Sequence, residues 1–211
     1  MYRQIKFALI VVLAVSGAVA RGAILIESEP NDSIPTAQNI DPYFTLDYSP
    51  DIGDTTTNTS TVIPHVTIVG TGNGTTDYYY FSAGAGARGI FEIDYGMPDL
   101  DPVIYLTDSV GGALASNDDS VTTYGQGGSI HPYDSYIEYI FTTPGVYKIQ
   151  VTSYSFYDLP GGTDYQLQVS IQDHALASVP EAGSLTVWAA LFCTVAGAIA
   201  IVPKRKFFKL V

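Results

Sequence analysis

The chain has 211 residues, of which 46% are apolar and 14% are charged, a composition that suits one folded domain with appendages and excludes a disordered polyelectrolyte. The bases are concentrated at the two ends: between Ala23 and Val179 only Arg88 and Lys148 stand against twenty acids, a net charge of −18. Such a body offers no basic patch to a phosphate backbone or an anionic lipid surface, which excludes nucleic-acid binding. A single cysteine, Cys193, excludes an intrachain disulfide and a multi-cysteine zinc site.

The first 23 residues have the features of a secretory signal peptide. Two bases precede an apolar run over residues 7–15, and Ala18-Val19-Ala20 fits the A-x-A cleavage pattern. The apolar run is too short to span a bilayer comfortably, so an uncleaved anchor is the weaker alternative. We therefore expect residues 1–23 to direct export.

The middle of the chain is predicted to consist of short β-strands. In the stretch 146–152, Tyr147, Ile149 and Val151 alternate with polar residues, which is typical of a half-buried strand, and residues 91–95 alternate in the same way. The stretches 78–81, 103–106 and 136–141 are aromatic or branched and are expected to be buried on both sides. The segment 41–61, rich in Asp, Thr and Ser, is interpreted as a flexible insert. Strands with regular Gly and Pro turns predict an all-β fold, an antiparallel jelly-roll-like β-sandwich over residues 24–178 with its core at 27–171.

The C-terminal end has three parts that stand in a fixed order. Val179-Pro180-Glu181 precedes an apolar stretch, 185–202, which is long enough to span a bilayer, and a basic cluster follows at 204–206. This arrangement in residues 179–211 resembles the PEP-CTERM sorting signal of bacterial surface proteins, with Ala182 in place of the second proline. The resemblance implies recognition by a membrane protease of the exosortase type. The alternative is a permanent single-span anchor, and either interpretation places the middle of the chain outside the cytoplasmic membrane.

A series of motifs in the middle of the chain resembles the bacterial pre-peptidase C-terminal domain, a small β-sandwich found on many secreted peptidases. The motifs, taken in order, are Glu27–Ser33, Asp77–Phe81, Leu100–Leu106, Asn117–Asp119, Asp134–Ile137 and Pro144–Tyr147. The resemblance covers roughly residues 27–171. It implies a jelly-roll-like sandwich with acidic loops at one edge that often bind calcium. In many members the module follows a protease domain, whereas nothing catalytic precedes it here.

The acidic residues are candidates for calcium ligands. Twenty acids beside two bases repel one another, and a hard cation that takes six to eight oxygens relieves this repulsion. The alternative is that Asp and Asn simply occupy solvated turns and caps. We expect the first and third groups below to converge on calcium. The groups are Glu27, Glu29, Asn31 and Asp32; Asp99 and Asp101; Asn117, Asp118 and Asp119; and the single candidate Asp134.

A catalytic function finds little support in the sequence. The three histidines, His65, His131 and His174, are not part of a metalloprotease pair, and no G-x-S-x-G elbow is present. The pair Asp99 and Asp101 could serve a glycosidase, but in so acidic a chain a pair of this kind carries little information. We therefore predict that the protein is not an enzyme.

The aromatic loop at Tyr154, Phe156 and Tyr157 has two interpretations, a local core under the loop or an exposed platform for sugar rings or a protein. We expect an exported, non-catalytic, calcium-stabilised module of the cell envelope or extracellular matrix that acts in adhesion or binding. Its partners would be the sorting protease and an extracellular polysaccharide or protein, and it would contact the membrane only through the C-terminal helix. The alternatives are a structural matrix component without a specific ligand and a hydrolase of unrecognised type.

Overall fold

The computed structural model describes residues 24–94, 100–125, 129, 132–154 and 157–176. The regular elements in this part of the chain are short strands and two 3-10 helices, at Ile34–Thr36 and Asp41–Tyr43. The strands are β1 (Ile24–Ile26), β2 (Gln38–Asn39), β3 (Gly53–Asp54), β4 (Thr57–Asn58), β5 (His65–Thr71), β6 (Asp77–Ala83), β7 (Arg88–Asp94), β8 (Pro102–Asp108), β9 (Ala113–Asn117), β10 (Tyr136–Ile140), β11 (Gly145–Ser153) and β12 (Asp164–Ile171).

The long strands form two five-stranded sheets. The first sheet has the order β1-β5-β12-β7-β10, the second has the order β2-β6-β11-β8-β9, and β3 and β4 form a separate hairpin. Neighbouring strands are antiparallel except for the pairs β1–β5 and β2–β6, which are parallel. Apolar side chains from both sheets form one buried core. The predicted all-β sandwich is therefore confirmed.

The alternation in the sequence identifies the core face of the central strands correctly. Tyr147, Ile149 and Val151 of β11 all belong to the buried core, because successive residues of a strand point to opposite faces. The prediction of burial on both sides is wrong in part for all three stretches, 78–81, 103–106 and 136–141. Tyr78, Tyr80 and Tyr105 are half-buried on the outer face of the second sheet. β10 is an edge strand of the first sheet, and Ile140 is 53% exposed. An edge strand has one neighbour only, so part of its surface meets solvent.

Residues 45–63, which we call the strap, lie on the outer face of the first sheet. Thr45 and His65 exchange two backbone hydrogen bonds of 2.9 Å, and Asp54 forms a 2.8 Å ion pair with Arg88 of β7. Ile52 is fully buried outside the main core. The interpretation of this segment as a flexible insert is thus wrong, because the strap packs against a sheet face that would otherwise meet water.

Several predicted features fall outside the described residues: the signal peptide, the motif Val179-Pro180-Glu181, the helix at 185–202, and Asp99. In the ranges that the structure describes, none of the helices has the length and apolar character needed to cross a membrane.

Candidate metal centre and binding groove

The turn after β1 brings two carboxylates and an amide together. Glu27 accepts hydrogen bonds from the backbone N–H of Thr71 (2.7 Å) and from Nδ2 of Asn31 (3.2 Å). Glu29 accepts one from the backbone N–H of Asn31 (3.0 Å) and another from Nδ2 of Asn73. These donors fix both carboxylates against β5 and the loop that follows it.

Asp77, the first residue of β6, supplies a third carboxylate to the same place. Its side chain is fully buried, and its Oδ2 accepts a 2.6 Å hydrogen bond from the Tyr165 hydroxyl. The hydroxyls of Tyr165 and Tyr79 are 2.7 Å apart, so a buried pair of phenols supports this carboxylate from the core side. Sequence analysis did not select Asp77 as a ligand, although an acid at the start of a strongly apolar strand is a signal that could have identified it.

Ligand atoms from Glu27, Glu29 and Asp77 all lie within 4.8 Å of one another. Calcium binds oxygen at 2.3–2.6 Å, so two ligands on opposite sides of one ion are about 5 Å apart. The three carboxylates are therefore close enough to share one calcium ion. Asn31 donates hydrogen bonds to both Glu27 and Glu29 and carries an amide oxygen, which is also a calcium ligand type.

Two buried acceptor atoms of this group have no hydrogen-bond partner, Oδ1 of Asn31 and Oδ1 of Asp77. An unsatisfied buried acceptor costs free energy that a bound cation would recover. Burial raises the pKa of Asp77 to about 8, and the charges of Glu27 and Glu29 act in the same direction. Burial also raises the pKa of Glu29. The donor set thus fits a hard divalent cation, which would stabilise all three carboxylates in their charged form.

Of the other predicted ligands, Asp32 is exposed and lies next to Glu29, where its charge contributes to the raised pKa of that carboxyl. The remaining ones lie elsewhere. Asp101 is half-buried before β8, where its carbonyl accepts from the backbone N–H of Tyr154. Asp118 and Asp119 are exposed after β9. Asp134 lies buried before β10, near the outer face of the first sheet.

The register of the second sheet separates the first and third predicted groups. Asp77 of β6 pairs with Val151, Val151 with Ile104, and Ile104 with Asn117 at the end of β9. Three inter-strand spacings separate the ends of this row, about 14 Å. The expected convergence of the Asn117–Asp119 loop with Glu27 and Glu29 is therefore wrong. Instead, Oδ1 of Asn117 accepts a 2.8 Å hydrogen bond from the backbone N–H of Tyr136.

A groove of about 640 Å³ lies at the β8–β9 side of the second sheet. Tyr154 and Tyr157, which are 61% and 80% exposed, form one part of its lining. Half-buried Tyr105 also lines it, together with polar side chains from β9, the loop after it and the end of β11. The complete lining is Val103, Tyr105, Ser116, Asn117, Asp118, Ser153, Tyr154 and Tyr157. Phe156, the third residue of the predicted aromatic platform, lies outside the described residues.

The described histidines do not form a nucleophilic site. His65 is buried under the strap, next to the backbone of Ser60 and Ile63, and burial lowers its pKa. His174 stacks on Phe44, and its Nε2 is 2.8 Å from Oδ1 of Asp41. Ser82 also donates to Asp41, so the carboxylate lies between the hydroxyl and the imidazole. A nucleophilic triad needs the imidazole in the middle position.

Comparison with known proteins gives one family match. Residues 75–153, which include β6 to β11, match the family model of the bacterial pre-peptidase C-terminal domain. The sequence-based resemblance is thereby confirmed over this range. No curated protein matches the chain.

Two solved structures are similar to this chain at a low level. One is PliG of Aeromonas hydrophila, a periplasmic inhibitor of g-type lysozyme, with 16% identity and a TM-score of 0.40 over 71% of this chain and 100% of that one. The other is the pre-peptidase C-terminal domain of collagenase from Bacillus anthracis, with 17% identity and a TM-score of 0.33 over 50% of this chain and 87% of that one.

Proposed function

We propose that the protein is an exported, non-catalytic β-sandwich module that calcium stabilises and that binds a ligand at the cell envelope or in the extracellular matrix. The observation that carries this proposal is the convergence of Glu27, Glu29 and Asp77 within ion-binding distance, beside unpartnered acceptors of Asn31 and Asp77. These ligands come from the two ends of a 50-residue stretch. An ion there would cross-link the turn after β1 to the start of β6.

The groove supports the binding part of the proposal. Exposed tyrosine rings can stack on sugar rings, and the neighbouring Asn117, Asp118 and Ser153 offer hydrogen bonds to sugar hydroxyls. The net charge of −18 between Ala23 and Val179 disfavours an anionic polymer through long-range repulsion. A neutral extracellular polysaccharide is therefore the ligand class that the groove fits best, with an extracellular protein as the other outcome of a binding test.

The two chain ends support the location. The signal peptide at residues 1–23 provides export, and Val179-Pro180-Glu181 with the apolar stretch 185–202 provides sorting by a protease of the exosortase type. Intact-mass analysis of protein recovered from the cell exterior tests this directly. We expect a species that lacks residues 1–20 and everything beyond about residue 181. A species that retains 185–202 would instead indicate a permanent anchor.

The binding function is tested with the exported protein on an array of neutral and anionic glycans and of extracellular proteins. We expect retention on a neutral glycan, and loss of most of that retention in Tyr154→Ala and in Tyr157→Ala. Tyr48→Ala is the matched control, because Tyr48 is 70% exposed and lines a different cavity. Equal retention of all three variants, or no retention of the unchanged protein on any surface, would contradict a binding role for the groove and favour a purely structural matrix component.

A further inference from the structure

A second group of buried acids lies on the outer face of the first sheet, away from the calcium ligands. Glu92 and Asp94 of β7 alternate with Phe91 and Ile93, which belong to the sandwich core. Both carboxyl side chains therefore point to the strap side of the sheet. They are nevertheless almost inaccessible, with exposures of 2% for Glu92 and 0% for Asp94.

The neighbours of these two carboxyls come from four elements. On β12, Gln168 is paired with Glu92, and its Nε2 donates a 2.9 Å hydrogen bond to Oδ2 of Asp94. On β10, Tyr136 is paired with Glu92, and buried Asp134 lies two residues before it. The strap contributes Asp51, whose charge acts on both carboxyls. On β5, Thr67 donates to Oε1 of Gln168 at 2.6 Å, which fixes the orientation of the amide.

One oxygen of each carboxyl has no hydrogen-bond partner, Oε2 of Glu92 and Oδ1 of Asp94. The loop before residue 126 closes over Glu92 so tightly that a Cβ added to Gly125 would lie 1.1 Å from Oε2. This loop therefore lies over the unsatisfied oxygen of Glu92, and the strap places the charge of Asp51 near both carboxyls.

The charges that act on Glu92 and Asp94 from other described side chains are negative. Asp134 and Asp51 face both residues, and the one base of β7, Arg88, is engaged by Asp54 and Glu138 at 2.8 and 2.7 Å. Burial first, and these acidic neighbours second, raise the pKa of Asp94 to about 8 and the pKa of Glu92 well above its usual range.

Protons on Glu92 and Asp94 fit this group of acids better than a metal ion does. Among the described residues, the only group of three or more acids or histidines with ligand atoms all within 4.8 Å of one another is Glu27, Glu29 and Asp77. The described acids under the strap form no such group. A proton on each carboxyl removes the charge without requiring them to converge.

We propose that protonated Glu92 and Asp94 hold the strap on the first sheet, and that the strap is released as these two carboxyls ionise. The closed state needs both groups neutral, whereas in the open state water solvates them as carboxylates. Opening therefore becomes easier as pH rises from the ordinary pKa of an acid, about 4, towards 8. Each carboxyl that loses its proton on opening increases the opening constant about tenfold per pH unit in this range.

The strap also covers one base, His65, whose protonation favours release of the strap as pH falls. His65 of β5 is buried next to Ser60 and Ile63 of the strap, with Asp47 as its charged neighbour, and burial lowers its pKa. The buried ring is therefore favoured in its neutral form. Opening is then easier below the ordinary pKa of histidine, about 6.5, because the open state accepts the proton. Because two carboxyls act against one histidine, their effect prevails above about pH 4, and we expect the tightest closure at about pH 4.

Hydrogen–deuterium exchange of the exported protein tests the proposal, with saturating calcium so that Asp77 stays ionised at every pH. The readout is the strap amide of Thr59, which donates to the carbonyl of Ile52 at 3.1 Å, corrected for intrinsic exchange. In the unchanged protein we expect protection to fall at least tenfold per pH unit between about pH 6.5 and pH 8. In the double variant Glu92→Gln, Asp94→Asn this fall should be absent.

The control variant is Asp173→Asn, which removes an exposed carboxyl whose residue has φ 60°, a conformation that Asn tolerates. It should keep the pH dependence of the unchanged protein. A second readout is the infrared band of protonated carboxyl groups, which should persist at about pH 7 and disappear in the double variant. Equal pH dependence in the double variant and the unchanged protein, or no such band at neutral pH, would overturn the proposal.

Discussion

Two groups of acids, one around buried Asp77 and one at buried Glu92 and Asp94, show how strand geometry decides what neutralises a carboxylate. At the calcium group, Glu27, Glu29 and Asp77 come from two elements and their oxygens lie within 4.8 Å of one another. Under the strap, Glu92 and Asp94 lie two residues apart on one strand, and the acids near them in the described part of the chain do not complete such a group. Both groups have buried oxygens without partners. Carboxylates whose oxygens converge can share one metal ion, whereas carboxylates that lie apart are neutralised by protons.

The outer faces of the two sheets also differ, because one is covered by another segment and the other is open to solvent. The strap covers the first sheet, so polar residues such as Gln168 and Thr67 are buried there and bind one another. The second sheet leaves Tyr78, Tyr80 and Tyr105 half-exposed, and the groove is on its side of the sandwich. The covered face therefore contributes buried polar contacts, and the open face is the one on which we propose ligand binding.

The largest effect should come from the apolar contact that holds the strap. Ile52→Ala removes a fully buried side chain, so we expect a loss of about 3 kcal/mol in the free energy of unfolding or of strap opening. Denaturant unfolding and exchange at strap amides measure the two quantities. Val62→Ala is the control, because Val62 is 71% exposed and should change either value by less than about 0.5 kcal/mol. Similar small effects of both substitutions would show that the strap does not pack as described.

A second prediction separates the calcium group from the other acids. Asp77→Asn should abolish most of the calcium-dependent gain in stability, which is about 2.7 kcal/mol when free calcium is 100-fold above its dissociation constant. Its calcium-free stability should be nearly unchanged at about pH 7, because burial raises the pKa of Asp77 to about 8 and the carboxyl that is replaced is already largely neutral. Asp119→Asn, an exposed acid beyond the far end of the same row of strands, should keep the full gain. Equal losses in both variants would indicate general screening.

A smaller effect is the pH dependence of calcium affinity, which tests whether a proton and calcium compete for Asp77. Because the pKa of Asp77 without metal is raised to about 8, a proton competes with calcium for this carboxylate. We expect calcium affinity to rise about tenfold per pH unit up to about pH 8 and then to level off. Titration calorimetry at several pH values measures this. A flat profile between pH 6 and pH 8 would mean that Asp77 is not a ligand.

Much of the fold could be predicted from the alternation of apolar and polar residues along the strands. Tyr147, Ile149 and Val151 could be assigned to the core because alternation identifies one face of a strand. The same pattern at Glu92 and Asp94 predicted solvent exposure and was wrong, because alternation does not reveal that another segment covers the second face. The cover itself, at residues 45–63, has few apolar residues and only two-residue strands, so its position depends on tertiary contacts.

The candidate site was predictable only in part for a similar reason. Glu27, Glu29 and Asn31 are close in sequence, so local clustering identified them. Asp77 lies about fifty residues further along, and strand pairing alone brings it to them. The same pairing places Asn117 at the opposite end of a four-strand row. Sequence proximity therefore found the local ligands and could not choose between the distant ones.

Thermal unfolding of the exported protein in EDTA, calcium, magnesium and matched sodium chloride tests the central claim most directly. If calcium binds Glu27, Glu29 and Asp77, the melting temperature should be higher in calcium than in EDTA or sodium chloride. Magnesium should substitute poorly because it demands a tight octahedron and releases its waters reluctantly. Equal effects of calcium, magnesium and salt would indicate screening. Identical melting curves in EDTA and calcium would contradict the account.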